Sequence, residues 1–177
     1  MSDSLPFILI TGFMGAGKST TAAALARFLD CAMIDLDQFV SEREGRSVPA
    51  MIDESGEEYF RGVETRALSA ALESGRAGVI ALGGGTWTIA RNREIIQAHE
   101  GLTIWLDAPF ELCWRRIAQG DGARPFARER ERAQRLFHAR RALYGQAALR
   151  VQVTEESSTE EIVSEIILAL SSHRNSN

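Results

Sequence analysis

The sequence predicts an α/β fold: a five-stranded parallel sheet with helices on both faces. Three observations predict it. Five short apolar runs, Phe7–Ile10, Ala32–Ile34, Ala77–Leu82, Leu102–Asp107 and Leu149–Val153, alternate with helical segments along the chain, and strands separated by helices pair in parallel. The first four runs are apolar nearly throughout, the composition of strands covered on both faces. Glycines or paired acids directly follow the first three runs, which puts ligand-binding groups at the carboxyl ends of the strands.

The elements follow in order. After the first strand comes a glycine loop, then Ser19–Leu29, rich in alanine and leucine and helical by propensity. The second strand runs into Asp35-Leu36-Asp37. Gln38–Gly75 is helical in pattern, interrupted from Gly45 to Pro49 and again at Gly56. Ser47 fits a helix cap and Pro49 a first turn. The third strand runs into Gly83-Gly84-Gly85, and Ile89–His99 is a helix. Pro109 opens the helix after the fourth strand. Gly120-Asp121-Gly122-Ala123-Arg124-Pro125 is a glycine-rich loop, followed by a charged helix from Arg128 to Leu143. Ser158-Thr159-Glu160-Glu161 carries capping signals for a last helix, Thr159–Leu170. The polar tail Ser171–Asn177 is expected to fray.

Bulk properties bound the rest. The 177 residues are 45% hydrophobic and 25% charged, the composition of one globular domain that buries roughly 70% of its unfolded surface. A net charge of −4 argues against general nucleic-acid binding. No apolar run approaches the roughly 18 residues of a membrane span, and the first residues lack a basic signal-peptide region. Cys31 and Cys113 have no metal-ligand spacing and read as buried thiols. The expectation is a single domain over 1–177, cytoplasmic and monomeric, with no nucleic-acid or membrane partner.

Lys18 is the only lysine among 20 basic residues, and it lies in Gly12-Phe13-Met14-Gly15-Ala16-Gly17-Lys18-Ser19. This matches the phosphate-binding loop G-x-x-x-x-G-K-[ST] at every fixed position, between a strand and a helix as that motif requires. A compact ammonium on a flexible stem follows a phosphoryl group where a planar guanidinium fits a tight backbone nest poorly. The loop amides of Gly15, Ala16 and Gly17, with the helix start at Ser19 and Thr20, cradle the phosphates of a nucleotide. Lys18 reaches the β- and γ-phosphates, and the Ser19 hydroxyl is a Mg²⁺ ligand.

Other groups join this loop in one cleft. Asp35 and Asp37 share a face if both lie on a strand. Beside Mg²⁺ and a hydroxyl, one orients the metal's waters and the other accepts a proton; the other reading is a helix cap with first-turn charge. Arg61 and Glu64 are either a surface i, i+3 pair or part of an anion site. Gly83, Gly84 and Gly85 either let backbone amides approach a ligand or form a loose turn. Arg124 sits in a loop with the composition of a lid, where an arginine closing on a transferring phosphate acts. Arg140 or Arg141 can clamp a carboxylate bidentately, or both are solvated.

The ordered set resembles the shikimate kinase family. That family carries the phosphate loop, an Asp-x-Asp after the second strand, Gly-Glu-x-x-Phe-Arg-x-x-Glu, a triple glycine, an Arg-Pro lid and Arg-x-x-x-Tyr. Here these are Asp35-Leu36-Asp37, Gly56-Glu57-Glu58-Tyr59-Phe60-Arg61-Gly62-Val63-Glu64, Gly83-Gly84-Gly85, Arg124-Pro125 and Arg140-Arg141-Ala142-Leu143-Tyr144. The resemblance implies a P-loop kinase fold of the nucleoside-monophosphate-kinase type, with a substrate-binding insert near 37–62 and a lid near 119–128. It implies ATP-dependent phosphorylation of the 3-hydroxyl of shikimate. Lys18, Asp37 and Arg124 would be catalytic, with Mg²⁺ held by Ser19 and Asp35. ATP would contact Gly15 to Thr20, Arg116 and Arg124. Shikimate would contact Asp37, Arg61, Gly83, Gly84, Gly85 and Arg140.

The chain departs from the family's habit at Leu36, where threonine is common, at Ile52, where an aromatic is common, at Phe126 in the lid and at Trp87. None of these removes a catalytic group. Two rivals stand beside the resemblance: a kinase of the same architecture acting on gluconate or a nucleoside monophosphate, and a nucleotide-dependent switch that transfers nothing.

Overall fold

The computed structural model describes residues 7–120 and 129–175. All strands are parallel, in the order β2-β3-β1-β4-β5. They are β1 (Ile8–Thr11), β2 (Met33–Asp35), β3 (Val79–Ala81), β4 (Leu102–Asp107) and β5 (Leu149–Gln152). All four residues of β1 are buried although successive side chains point to opposite faces, so helices cover the sheet on both sides. The order reverses about β1, which opens a crevice at its carboxyl end. Register aligns the ends that matter: Asp35 pairs with Ala81, and Ala81 with Ile10. The residues just beyond β1, β2 and β3 therefore emerge together.

The helices are α1 (Lys18–Phe28), α2 (Leu36–Glu44), α3 (Val48–Ser55), α4 (Glu57–Ser74), α5 (Ala90–Ala98), α6 (Phe110–Gln119), α7 (Arg130–Tyr144) and α8 (Thr159–Asn175), with one 3-10 turn at Thr86–Thr88. The two expected breaks in the long helical region fall where α2 and α3 end. The Ser47 hydroxyl accepts from Ala50 N at 3.3 Å, capping α3. At α8 the capping box closes reciprocally: Ser158 Oγ accepts from Glu161 N at 3.2 Å, and Glu161 Oε2 accepts from Ser158 N at 2.8 Å. That backbone bond holds the Glu161 carboxyl below its usual range.

Three expectations need correction. The helix start at Leu36 removes Asp37 from a strand: Asp35 ends β2 and Asp37 stands in the first turn of α2. The tail does not fray at Ser171. The helix runs to Asn175, and the Ser171 and Ser172 hydroxyls donate to carbonyls one turn back, at Ile167 and Leu168. Cys31 is only half-buried, whereas Cys113 is fully buried. The expected start of α7 at Arg128 lies outside the described residues. Among those described, no helix is long and apolar enough to cross a membrane.

Candidate active site

The loop Gly12–Gly17 joins β1 to α1. Gly15 has φ 80°, and a Cβ there would sit 2.6 Å from the Cys113 carbonyl oxygen. Only glycine lets α6 press this closely on the loop. Arg116, also on α6, donates from Nη1 to the Gly15 carbonyl at 3.2 Å. Lys18 is the first residue of α1, and its Nζ donates back to the Phe13 carbonyl at 3.0 Å. The ammonium thus lies folded across its own loop. Ser19 and Thr20 are exposed beside it.

The helix-cap reading of the acidic pair holds. Asp35 caps α2, its Oδ1 accepting from Asp37 N at 3.1 Å and Gln38 N at 3.2 Å. Its other oxygen accepts from the Ser19 hydroxyl, so the cap also ties the helix start to the phosphate loop. Asp37 faces elsewhere: a Cβ on Gly83 would lie 2.7 Å from Asp37 Oδ1. One carboxylate addresses Ser19 and the other addresses the triple glycine.

That glycine turn is the hub of the site. Glu64 is fully buried, which rules out the surface-pair reading. Its Oε1 accepts from the Thr86 hydroxyl at 2.6 Å and its Oε2 from Arg61 Nη1 at 2.9 Å. Arg61 Nη2 also donates to Glu57 at 3.0 Å. Burial pulls the Arg61 pKa down, but the Glu64 and Glu57 carboxylates outweigh it, and the guanidinium ends above its ordinary value. Arg61 lies against Gly85, where a Cβ would meet Nη2 at 2.5 Å. Arg140, from α7, donates from Nη1 to the Gly84 carbonyl at 3.2 Å, and the Tyr144 hydroxyl donates to the same oxygen. Burial pushes the Tyr144 phenol up to about 12. Trp87, buried, donates from Nε1 to the Leu143 carbonyl at 2.9 Å, which ties the glycine turn to the end of α7.

These groups border a cavity of about 350 Å³, whose polar wall includes Lys18, Ser19, Asp35, Asp37, Arg61 and Arg140. Gly84 and Gly85 line it too, while Gly15, Ala16, Gly17, Thr20, Gly83 and Arg116 lie outside its wall. Arg124 lies outside the described residues. The apolar side is built by Met14, Val48, Pro49, Ile52 and Phe60. Sequence reasoning singled out only Ile52 of these, because apolar pocket residues look like core residues along a helix. It also missed Thr86, whose one signal was its place directly after the glycines. Leu36 is buried in the core.

A pocket of this size with convergent cations and carboxylates fits a small anionic ligand. The shikimate kinase family model matches residues 14–171. The chain is 37% identical over 161 residues to the shikimate kinase of Persephonella marina, covering 90% of this chain and 96% of that one. It is likewise 37% identical over 171 residues to that of Geobacter sulfurreducens, covering 94% and 92%. The chain belongs to the shikimate kinase family. Among solved structures, the shikimate kinase of Acinetobacter baumannii in complex with shikimate superposes with a TM-score of 0.88 at 30% identity, covering 97% and 96% of the two chains. That of Aquifex aeolicus gives 0.82 at 34%, covering 94% and 97%. A gluconokinase of Sinorhizobium meliloti gives 0.60 at 18%, a likeness of fold alone. The fold is thus the P-loop kinase type of that family, and the chain is an enzyme: a kinase that phosphorylates shikimate with ATP as co-substrate, in the route to aromatic amino acids.

Proposed function

We propose that this cavity transfers the γ-phosphoryl group of ATP in line to the 3-hydroxyl of shikimate, with Asp37 as the base. One observation carries the reading. Lys18 and Ser19 at the end of the phosphate loop, an acidic pair whose members point in different directions, and two arginines from distant helices all border one small cavity.

Catalysis here is positioning and charge stabilisation. Lys18 neutralises the β- and γ-phosphates. Ser19 and Asp35, already side by side, are the hard oxygen donors a Mg²⁺ ion accepts. Such an ion keeps several waters and phosphate oxygens as ligands and takes only one or two groups from the protein. Mg²⁺, when bound, would supply charge neutralisation at the phosphates. Asp37 orients the acceptor hydroxyl and takes its proton. Arg61 and Arg140 grip the carboxylate of the acid, Gly83 to Gly85 supply backbone contacts to its ring, and Arg116, held by the Gly15 carbonyl, stacks on adenine. Residues near 37–62 form the substrate insert of a single domain, and those near 119–128 with Arg124 form its lid. A reducing cytoplasm, which keeps the thiols Cys31 and Cys113 free, and a monomeric state are part of the same proposal.

The test is ADP release from MgATP with shikimate, gluconate, AMP or CMP offered separately. Turnover with shikimate alone supports the proposal. Turnover only with a nucleotide, only with gluconate, or equally without an acceptor overturns it.

A further inference from the structure

Asp107, the last residue of β4, is buried and lies outside the cavity wall. Its carboxylate accepts from Arg141 Nη1 at 2.6 Å and Nη2 at 2.9 Å, and from Arg150 Nε at 2.9 Å and Nη2 at 2.5 Å. Four charge-assisted bonds on one group fix orientation as well as distance, because the guanidinium fork is planar and rigid. Both arginines also lie over the Trp105 ring, Arg141 at 5.2 Å and Arg150 at 5.1 Å from its centroid. Arg141 is further pinned over Phe137 at 5.9 Å.

Arg141 directly follows Arg140 on α7. Successive side chains on an α-helix diverge by about 100°, so locking one to the sheet sets the direction of the next. Arg140 itself donates to the neutral Gly84 carbonyl at 3.2 Å and lies against the neutral Tyr144 phenol. Contacts to neutral partners contribute about 1 kcal/mol each and orient a long side chain less firmly than a charged fork does. The bidentate clamp one residue on is the stronger and more directional restraint.

We propose that Asp107 is a positioning residue for substrate recognition: by clamping Arg141 it sets the rotation of α7 and aims Arg140 into the cavity. This rests on the reading in which Arg140 grips the substrate carboxylate. A mere staple between β4, β5 and α7 would weaken the fold and affect both substrates alike. An aiming device affects shikimate through Arg140 alone.

The test compares Asp107→Asn and Arg141→Lys in the full chain, each alone and combined with Arg140→Ala. Asp107→Asn keeps the shape and loses the charge; Arg141→Lys keeps the charge and loses the fork. KM for shikimate is expected to rise about tenfold in either variant while KM for ATP stays within about twofold. With Arg140 already removed, neither substitution should raise the shikimate KM further. If Asp107→Asn does not fold, Arg141→Lys carries the test by itself. An equal rise for both substrates overturns the proposal, as does an undiminished shikimate effect without Arg140. If Arg140→Ala raises the shikimate KM but the Asp107 and Arg141 variants do not, only this inference falls. If Arg140→Ala leaves that KM unchanged, the substrate assignment of Arg140 falls, and this inference with it.

Discussion

The guanidinium groups of Arg61 and Arg140 meet on adjacent residues of one turn. Arg140 donates to the Gly84 carbonyl at 3.2 Å, and Arg61 lies so close to Gly85 that a Cβ there would sit 2.5 Å from its Nη2. Two helices distant in sequence thus aim cations at one spot, and the glycine turn is what lets them approach. Gly85 has φ −109°, so alanine is not strained there, and the atom it would strike is the end of a long side chain. In Gly85→Ala the arginine should move while the fold survives. We expect the shikimate KM to rise about tenfold with the ATP KM and the thermal midpoint nearly unchanged. A variant that instead loses both substrates, or unfolds, would show that the turn matters for packing and not for the arginine.

Arg61→Ala is a poor probe, because it strips the partner from the fully buried Glu64, a change that costs about 3 kcal/mol or more. Arg61→Lys keeps a charge near Glu64 but cannot form the fork. Its shikimate KM should rise at least about tenfold, with the ATP KM little affected. Steady-state kinetics with each substrate varied in turn decides it; equal changes in both would make Arg61 structural.

Asp37 and Asp35 should separate cleanly, since one faces Gly83 and the other Ser19. Asp37→Asn keeps the size and removes the base. Loss of a positioned base lowers kcat by about 10²–10⁴-fold, and nucleotide affinity measured by calorimetry should persist. Near-normal turnover would remove Asp37 from the chemistry.

Stability should fall in alkali. Burial raises the Cys113 thiol from 9.0 to about 11, and burial likewise raises the Tyr144 phenol from 10.0 to about 12. In each case the folded chain holds the proton more tightly than the unfolded chain does. Their contribution is therefore full below the unfolded values and is lost as pH climbs through the folded ones. The urea midpoint should hold steady to about pH 8 and decline from about pH 9 upward. Tyr144→Phe should be less stable at neutral pH, having lost its bond to the Gly84 carbonyl, but flatter above pH 10.0. A midpoint unchanged between pH 9 and 11 in the parent chain would contradict the burial argument.

The sheet was legible because its signals are local: an apolar run, then a glycine or an acid, then a helix. Ser47, Pro49 and the Ser158 box marked helix starts for the same reason. Asp37 was misplaced onto a strand because Leu36 is equally at home in either element, and capping by Asp35 decided for the helix. The tail was read as frayed because its serines look polar in sequence, yet their hydroxyls bond back to the helix. At the site, motif spacing identified Lys18, Asp35, Arg61 and Arg140. Residue chemistry alone left Arg140 and Arg141 open, since the Asp107 carboxylate that takes up Arg141 lies more than thirty positions away in the chain. The burial of Glu64 was invisible likewise, because Thr86 and Arg61 satisfy it from separate elements.

The most direct measurement is a crystal structure of the chain with shikimate and a non-hydrolysable ATP analogue. The account expects the acid's carboxylate within about 3 Å of both Arg61 and Arg140, its reacting hydroxyl within the same distance of Asp37, and the terminal phosphate on Lys18. Shikimate bound with its carboxylate turned away from the Gly84–Gly85 turn, or with Asp37 touching no hydroxyl, would contradict it.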